Sequence, residues 1–205
     1  MNALAAVALL LALASPASAH HVGAYTPRDN EITTNFKQIK FSLQARKFDV
    51  ALRLFEEGAL RAAMREKAGT LPAGLESGTR AALQSRDGLE VERRLMIFFA
   101  SLARELALEA DRQLAGGTLS REARAATGQR FLEAMWRYYN LVDFAVSSRD
   151  NKSSTAVRLA FDEAEGYVKT TSASEADKLR EPLRRIAQLL STVIDTSSAL
   201  PRRDS

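Results

Sequence analysis

The residues best placed for chemistry in this 205-residue chain are His20 and His21, its only two histidines. They follow Ala17-Ser18-Ala19, the small-x-small pattern that signal peptidase cuts. Cleavage after Ala19 frees the α-amino group of His20, and an amine with an imidazole nitrogen chelates one metal ion in a single ring. Nitrogen donors and the divalent stability order make copper(II) the expected ion. A brace of two facing imidazoles would need His21, yet neighbouring side chains on an extended segment point to opposite sides. The expected metal residues are thus His20 and His21, with a functionless histidine pair at the cleavage point as the alternative.

Carboxylates offer a second option. Glu105 and Glu109 stand one helical turn apart, Glu133 lies on a later helix, and Asp162, Glu163 and Glu165 cluster on another. Carboxylate-bridged di-iron bundles pair such acids with Glu-x-x-His, and no expected helix contains a histidine. An all-carboxylate site for iron(III) or calcium is what remains of that option. The plainer reading makes these acids solvated partners of arginines such as Arg104, Arg112 and Arg137.

Cysteine is absent, which excludes zinc–thiolate sites, iron–sulfur clusters and thiol nucleophiles. The chain has no GxSxG elbow, no HExxH and no phosphate-cradling glycine loop. Trp136, Tyr138 and Tyr139 form an aromatic run suited to a ligand pocket or to a core stripe with one polar edge.

Two short segments resemble known families. Arg46 to Leu60 is similar to the second helix of a tetratricopeptide repeat, with Phe48, Ala51 and Phe55 at its aromatic, alanine and aromatic positions. Nothing similar recurs about 34 residues later, near residue 85, and such repeats need about three copies for a continuous core. An amphipathic helix accounts for the match. Arg86-Asp87-Gly88-Leu89-Glu90 resembles the R-E-G-x-E iron motif of high-affinity iron permeases. That resemblance implies metal ligands at Asp87 and Glu90. In the family the motif lies in a transmembrane helix, whereas Glu92, Arg93 and Arg94 follow here. The alternative is a helix start, with acids near the positive pole.

The elements that must carry these residues read as helices. Asp29 or Asn30 caps the first, with Ile32, Phe36, Ile39 and Leu43 on one stripe and Arg46-Lys47 at its end. A second runs from Asp49 to about Lys67. Thr70 to Ser85, with Pro72, Gly74 and Gly78, is expected to be a linker or lid-like loop around a short helical turn. Asp87 caps a long helix stopped by Gly116-Gly117, and Ser120 opens a fourth that ends in a polar break over 147–154. Val157, Phe161, Ala164 and Val168 mark the fifth helix. Leu179, Leu183, Ile186, Leu190 and Ile194 mark the sixth, capped by Ser174 and holding Pro182 at a kink or in its first turn. Alternation with period two is missing. The fold class is all-α, a single compact bundle of about five or six antiparallel helices after a cleaved signal peptide.

The expected division is 1–19 signal peptide, 20–30 arm, 31–199 bundle and 200–205 tail. Ala3 to Ala14 has the length of a signal h-region, too short for the roughly 20 residues of a membrane span. No later stretch is apolar enough to span, so the processed protein is expected in the periplasm and not integral to the membrane. A formal charge of +4 and a pI near 9.6 come with acids and bases alternating along the helices, which favours a solvated surface over nucleic-acid binding. The expected function is an exported binding or accessory protein, handling a copper or iron ion beside an inner-membrane transporter or another periplasmic protein. A metal-free interaction module is the alternative, and a carboxylate-based enzyme the third class.

Overall fold

Asn30 and Thr33 cap each other at the first helix start: the Asn30 side chain accepts from the Thr33 amide, and the Thr33 hydroxyl accepts from the Asn30 amide, both at 2.9 Å. The computed structural model describes residues 28–116, 119–170 and 177–199. Among these residues the regular structure is helical. In chain order it comprises α1 (Glu31–Gln44), α2 (Phe48–Glu57), α3 (Ala59–Glu66), α4 (Leu75–Gln84), α5 (Gly88–Ala115), α6 (Arg121–Arg149), α7 (Asn151–Lys169), a 3-10 turn (Asp177–Leu179) and α8 (Arg180–Ala199). None of the described helices is long and apolar enough to cross a membrane.

Among the described residues eight helices replace the expected five or six, for two physical reasons. The expected second helix breaks at Gly58, where the backbone is extended (φ −95°, ψ 166°), so it becomes α2 and α3. The expected loop over 70–85 contains α4, which buries Leu75, Thr79, Ala82 and Leu83. Those four positions fall on one helical stripe, and the Thr79 hydroxyl is satisfied inside the helix by the Leu75 carbonyl at 2.8 Å. The polar break expected over 147–154 shrinks to Asp150, whose carboxylate caps α7 by accepting from the Ser153 amide at 3.0 Å. Pro182 falls in the first turn of α8, where its missing N–H is harmless. The Ser174 cap lies outside the described residues.

Four long helices form the body. α5 packs on α6 and α8, and α7 closes the ring against both. The α5–α8 pair is antiparallel, tied at one end by Arg180 to Asp111 (2.7 Å) and at the other by Arg93 to the Ser197 carbonyl. Every residue of α5 from Leu95 to Ala103 is buried, the mark of a helix surrounded on all sides. The surrounding layer is α1 to α4: α4 packs on α5, and the Phe36 ring meets Phe99 at 4.7 Å. Asn30 reaches α6 by donating to the Tyr138 hydroxyl at 3.1 Å.

The α1–α2 and α4–α5 corners are built alike. Leu43-Gln44-Ala45-Arg46 and Leu83-Gln84-Ser85-Arg86 each end with arginine in the left-handed region, at φ 56° and φ 60°. In each corner the next amide reaches back five residues, Lys47 to the Ser42 carbonyl (2.8 Å) and Asp87 to the Ala82 carbonyl (2.9 Å). Phe48 of the first corner lies against Gly88 of the second, since a Cβ on Gly88 would stand 3.6 Å from its ring.

Candidate functional site

Asp87 and Glu90 open α5. One Asp87 carboxylate oxygen accepts from the Glu90 amide at 3.0 Å, an N-cap. The Glu90 carboxylate is taken by two arginines of its own helix: Arg93 donates to both oxygens at 2.7 and 2.6 Å, and Arg94 to one at 2.7 Å. Hydrogen bonding to Arg93 first, then the charges of both guanidiniums, holds its pKa below the ordinary carboxylate value. The same arginines reach other elements. Arg93 donates to the Ser197 carbonyl at the end of α8, and Arg94 to the Gly74 carbonyl at the start of α4 (3.2 Å). The segment that resembles an iron motif is therefore placed as a structural knot joining α4, α5 and α8.

The other acids are also engaged. Glu105 accepts from Lys67 at 2.9 Å and from Thr70, and Glu109 from Arg112 at 2.9 Å. Glu133 accepts from Gln129 (3.1 Å), Glu163 from Arg185 (2.6 Å) and Glu165 from Lys169 (2.5 Å). Of the arginines expected as partners, Arg112 takes that role, whereas the Nε atoms of Arg104 and Arg137 are buried without a hydrogen bond. Among the described residues no three acids or histidines converge as a metal cage.

The aromatic run divides between core and edge. Trp136 and Tyr139 are buried and meet Phe161 at 5.3 and 6.0 Å. Burial, followed by the charge of nearby Asp143, pushes the pKa of the Tyr139 hydroxyl up. Asp143 itself accepts from Ser154 (2.9 Å) and from Arg158 (3.1 Å), fastening α6 to α7. Tyr138 is the polar edge, facing Asn30.

Where the chain enters α1, an open cleft of about 590 Å³ is lined by Asp29, Glu31, Thr34, Asn35, Gln38 and Gly58. Asp29 is held by Lys37 at 2.8 Å and feels the charge of Arg137 on α6, and the Lys37 bond depresses its pKa. Asn35 is buried and occupied: it donates to the Leu54 carbonyl (2.9 Å) and accepts from the Leu60 amide (3.1 Å). The sequence reading singled out neither Thr34, Asn35 nor Gln38; a polar residue at 35, one before Phe36 on the α1 stripe, was the available signal. His20 and His21 lie outside the described residues. Comparison with protein-family models, with curated proteins and with solved structures finds no match to this chain.

Proposed function

We propose that this is an exported, non-enzymatic binding or accessory protein of the periplasm that works by contact with another protein, an inner-membrane transporter being the expected partner. One observation carries the reading: Phe41 on α1 and Phe144 on α6 stand 71% and 80% exposed. Phe36 and Tyr138 both meet Phe99, at 4.7 and 6.0 Å, so α1 and α6 flank α5 at one height. Phe41 lies beyond Phe36 toward the end of α5 where Phe48 meets Gly88, and Phe144 lies beyond Tyr138 toward the α6–α7 corner. Aromatic side chains held in water suit burial against a partner. In this reading copper or iron handling rests on His20 and His21, because Asp87 and Glu90 are committed to a helix cap and to arginines.

A photo-crosslinking phenylalanine analogue placed at 41, at 144 and, as a control, at the exposed Leu159 position tests it in cells that export the full chain. Discrete adducts at 41 and 144, absent at 159, are expected in the periplasmic fraction. Adducts equal at all three positions, or at none, overturn the reading.

A further inference from the structure

The two like-built corners adjoin at one end of the bundle. Besides the Phe48–Gly88 contact, Arg86 of the α4–α5 corner reaches Asp49 in the first turn of α2 at 3.4 Å. Aliphatic side chains stand in water on both sides of that junction. Val50, also in the first turn of α2, is 40% exposed, and Leu89, in the first turn of α5, is 66% exposed. Arg46, Lys47 and Arg86 are exposed at the same corners. The side chains of Arg46 and Lys47 make no hydrogen bond or ion pair among the described residues. The α6–α7 corner lies at this end too. α5 and α6 are joined by a short link and run antiparallel, and Arg149 and Gly88 are equally far along them from the Phe99–Tyr138 contact. Arg149 and Lys152 are exposed there. Of the acids at these three corners, Asp87 and Asp150 are helix caps and Asp49 faces Arg86, so cations prevail.

Both corner arginines hold a left-handed backbone conformation in which glycine costs less. A helix C-terminus favours a cation, but arginine or lysine in the last turn supplies one without strain. Strain repeated at two adjoining exposed corners points to what these side chains meet outside the protein. We infer that the two corners form one face that docks on an anionic lipid surface. Val50 and Leu89 enter the headgroup boundary, and Arg46, Lys47 and Arg86 take lipid phosphates. A guanidinium presents two parallel donors to phosphate oxygens, and aliphatic side chains enter a bilayer boundary without a shaped partner. A soluble polyanion answers the cations and leaves Val50 and Leu89 in water. The face goes beyond the protein-contact reading and uses neither Phe41 nor Phe144, so vesicle binding and crosslinking can fail separately.

The probes are vesicles of equal parts phosphatidylglycerol and phosphatidylcholine, with vesicles of phosphatidylcholine alone for comparison. Each is sedimented with the exported chain, whose start is kept the same in every variant. Binding to the anionic vesicles should exceed binding to the neutral ones by about tenfold or more and fall with added salt. Loss of each cation should weaken it about fivefold, so Arg46→Gly combined with Arg86→Gly should weaken it roughly thirtyfold. Both substitutions relieve backbone strain, so the thermal midpoint should not fall, which separates lost binding from lost folding. Arg46→Lys combined with Arg86→Lys should keep most of the binding. Leu89→Ser should weaken it by about fivefold with the charge unchanged. Equal binding to the two vesicle types overturns the inference, as does full binding by the paired glycine variant or by Leu89→Ser. So does tighter binding to polyglutamate than to the anionic vesicles, which would make the face a site for an acidic protein.

Discussion

The Asn35 amide fills the space where a side chain on Gly58 would begin. A Cβ at Gly58 would overlap both the Asn35 amide and the Leu54 carbonyl. The break between α2 and α3 is built on that relationship, because Asn35 satisfies the Leu54 carbonyl and the Leu60 amide that the break leaves unpaired. Gly58→Ala must push the amide out or shift the backbone, and should destabilise by about 1–3 kcal/mol, the usual scale of overpacking. Asn35→Ala strands a buried amide and a carbonyl and should lose about 3 kcal/mol. Urea unfolding of both variants checks this. A Gly58→Ala protein as stable as the parent would mean that the break does not depend on the close approach.

Glu90→Gln should loosen α4 and α8 together, because Arg93 and Arg94 carry the Glu90 charge to the Ser197 and Gly74 carbonyls. A loss of about 2–3 kcal/mol at neutral pH is the scale for hydrogen bonds to a charged group in a partly buried setting. The pH dependence has a definite sign. The folded-state pKa of Glu90 lies below its ordinary value of 4.5, so its contribution is fully present above that value. As pH falls through the depressed folded pKa, the carboxylate protonates and the contribution disappears. The stability gap between parent and Glu90→Gln should therefore narrow below about pH 4.5 and stay constant above pH 6. Denaturation midpoints across that range report it, and a gap that widens in acid would contradict the assignment.

Arg46→Gly and Arg86→Gly should each stabilise the protein. Both arginines are held at positive φ, which costs an L-residue roughly 1–2 kcal/mol. Glycine removes that strain but adds freedom to the unfolded chain, so a net gain of about 0.5–1 kcal/mol remains. Arg46 should show the larger gain, since Arg86 also holds a 3.4 Å ion contact to Asp49 that glycine gives up. Thermal midpoints of the two variants rank them.

Much of the scaffold was legible in the sequence, and what was not has local causes. The stripes of α1, α5, α6 and α7 are periodic and their caps are short polar side chains: Ser120 and Asp87 start helices as expected, and Asn30, one of two caps expected for α1, starts the first. α4 was hidden because its buried stripe includes Thr79 and because Gly74 and Gly78 look like breakers. Gly78 in fact makes room for the Arg94 guanidinium, which a Cβ there would overlap. The break at Gly58 was hidden because its partner, Asn35, lies on another helix. Of the two readings of Arg86 to Glu90, the iron-motif resemblance and a helix start, the geometry favours the second: Arg93 and Arg94 stand three and four residues after Glu90 and hold its carboxylate. That α1 and α6 flank α5 at one height, with Phe41 and Phe144 each exposed, depends on tertiary packing.

If the chain is processed after Ala19, copper(II) should bind at its new start. Removal of residues 1–19 would make the amine of His20 a ligand together with its imidazole, whereas a retained or extended N-terminus turns that amine into an amide. His20→Ala should therefore weaken copper(II) binding more than His21→Ala, because only the first loses the chelate ring. Affinity should fall with falling pH, since both nitrogens must shed a proton before they coordinate. Isothermal titration of the native start, of a start blocked by one extra residue and of His20→Ala separates the cases. Tight binding by the first alone is expected. Equal affinity in all three would place any copper site elsewhere in the chain and remove the two histidines from the reading.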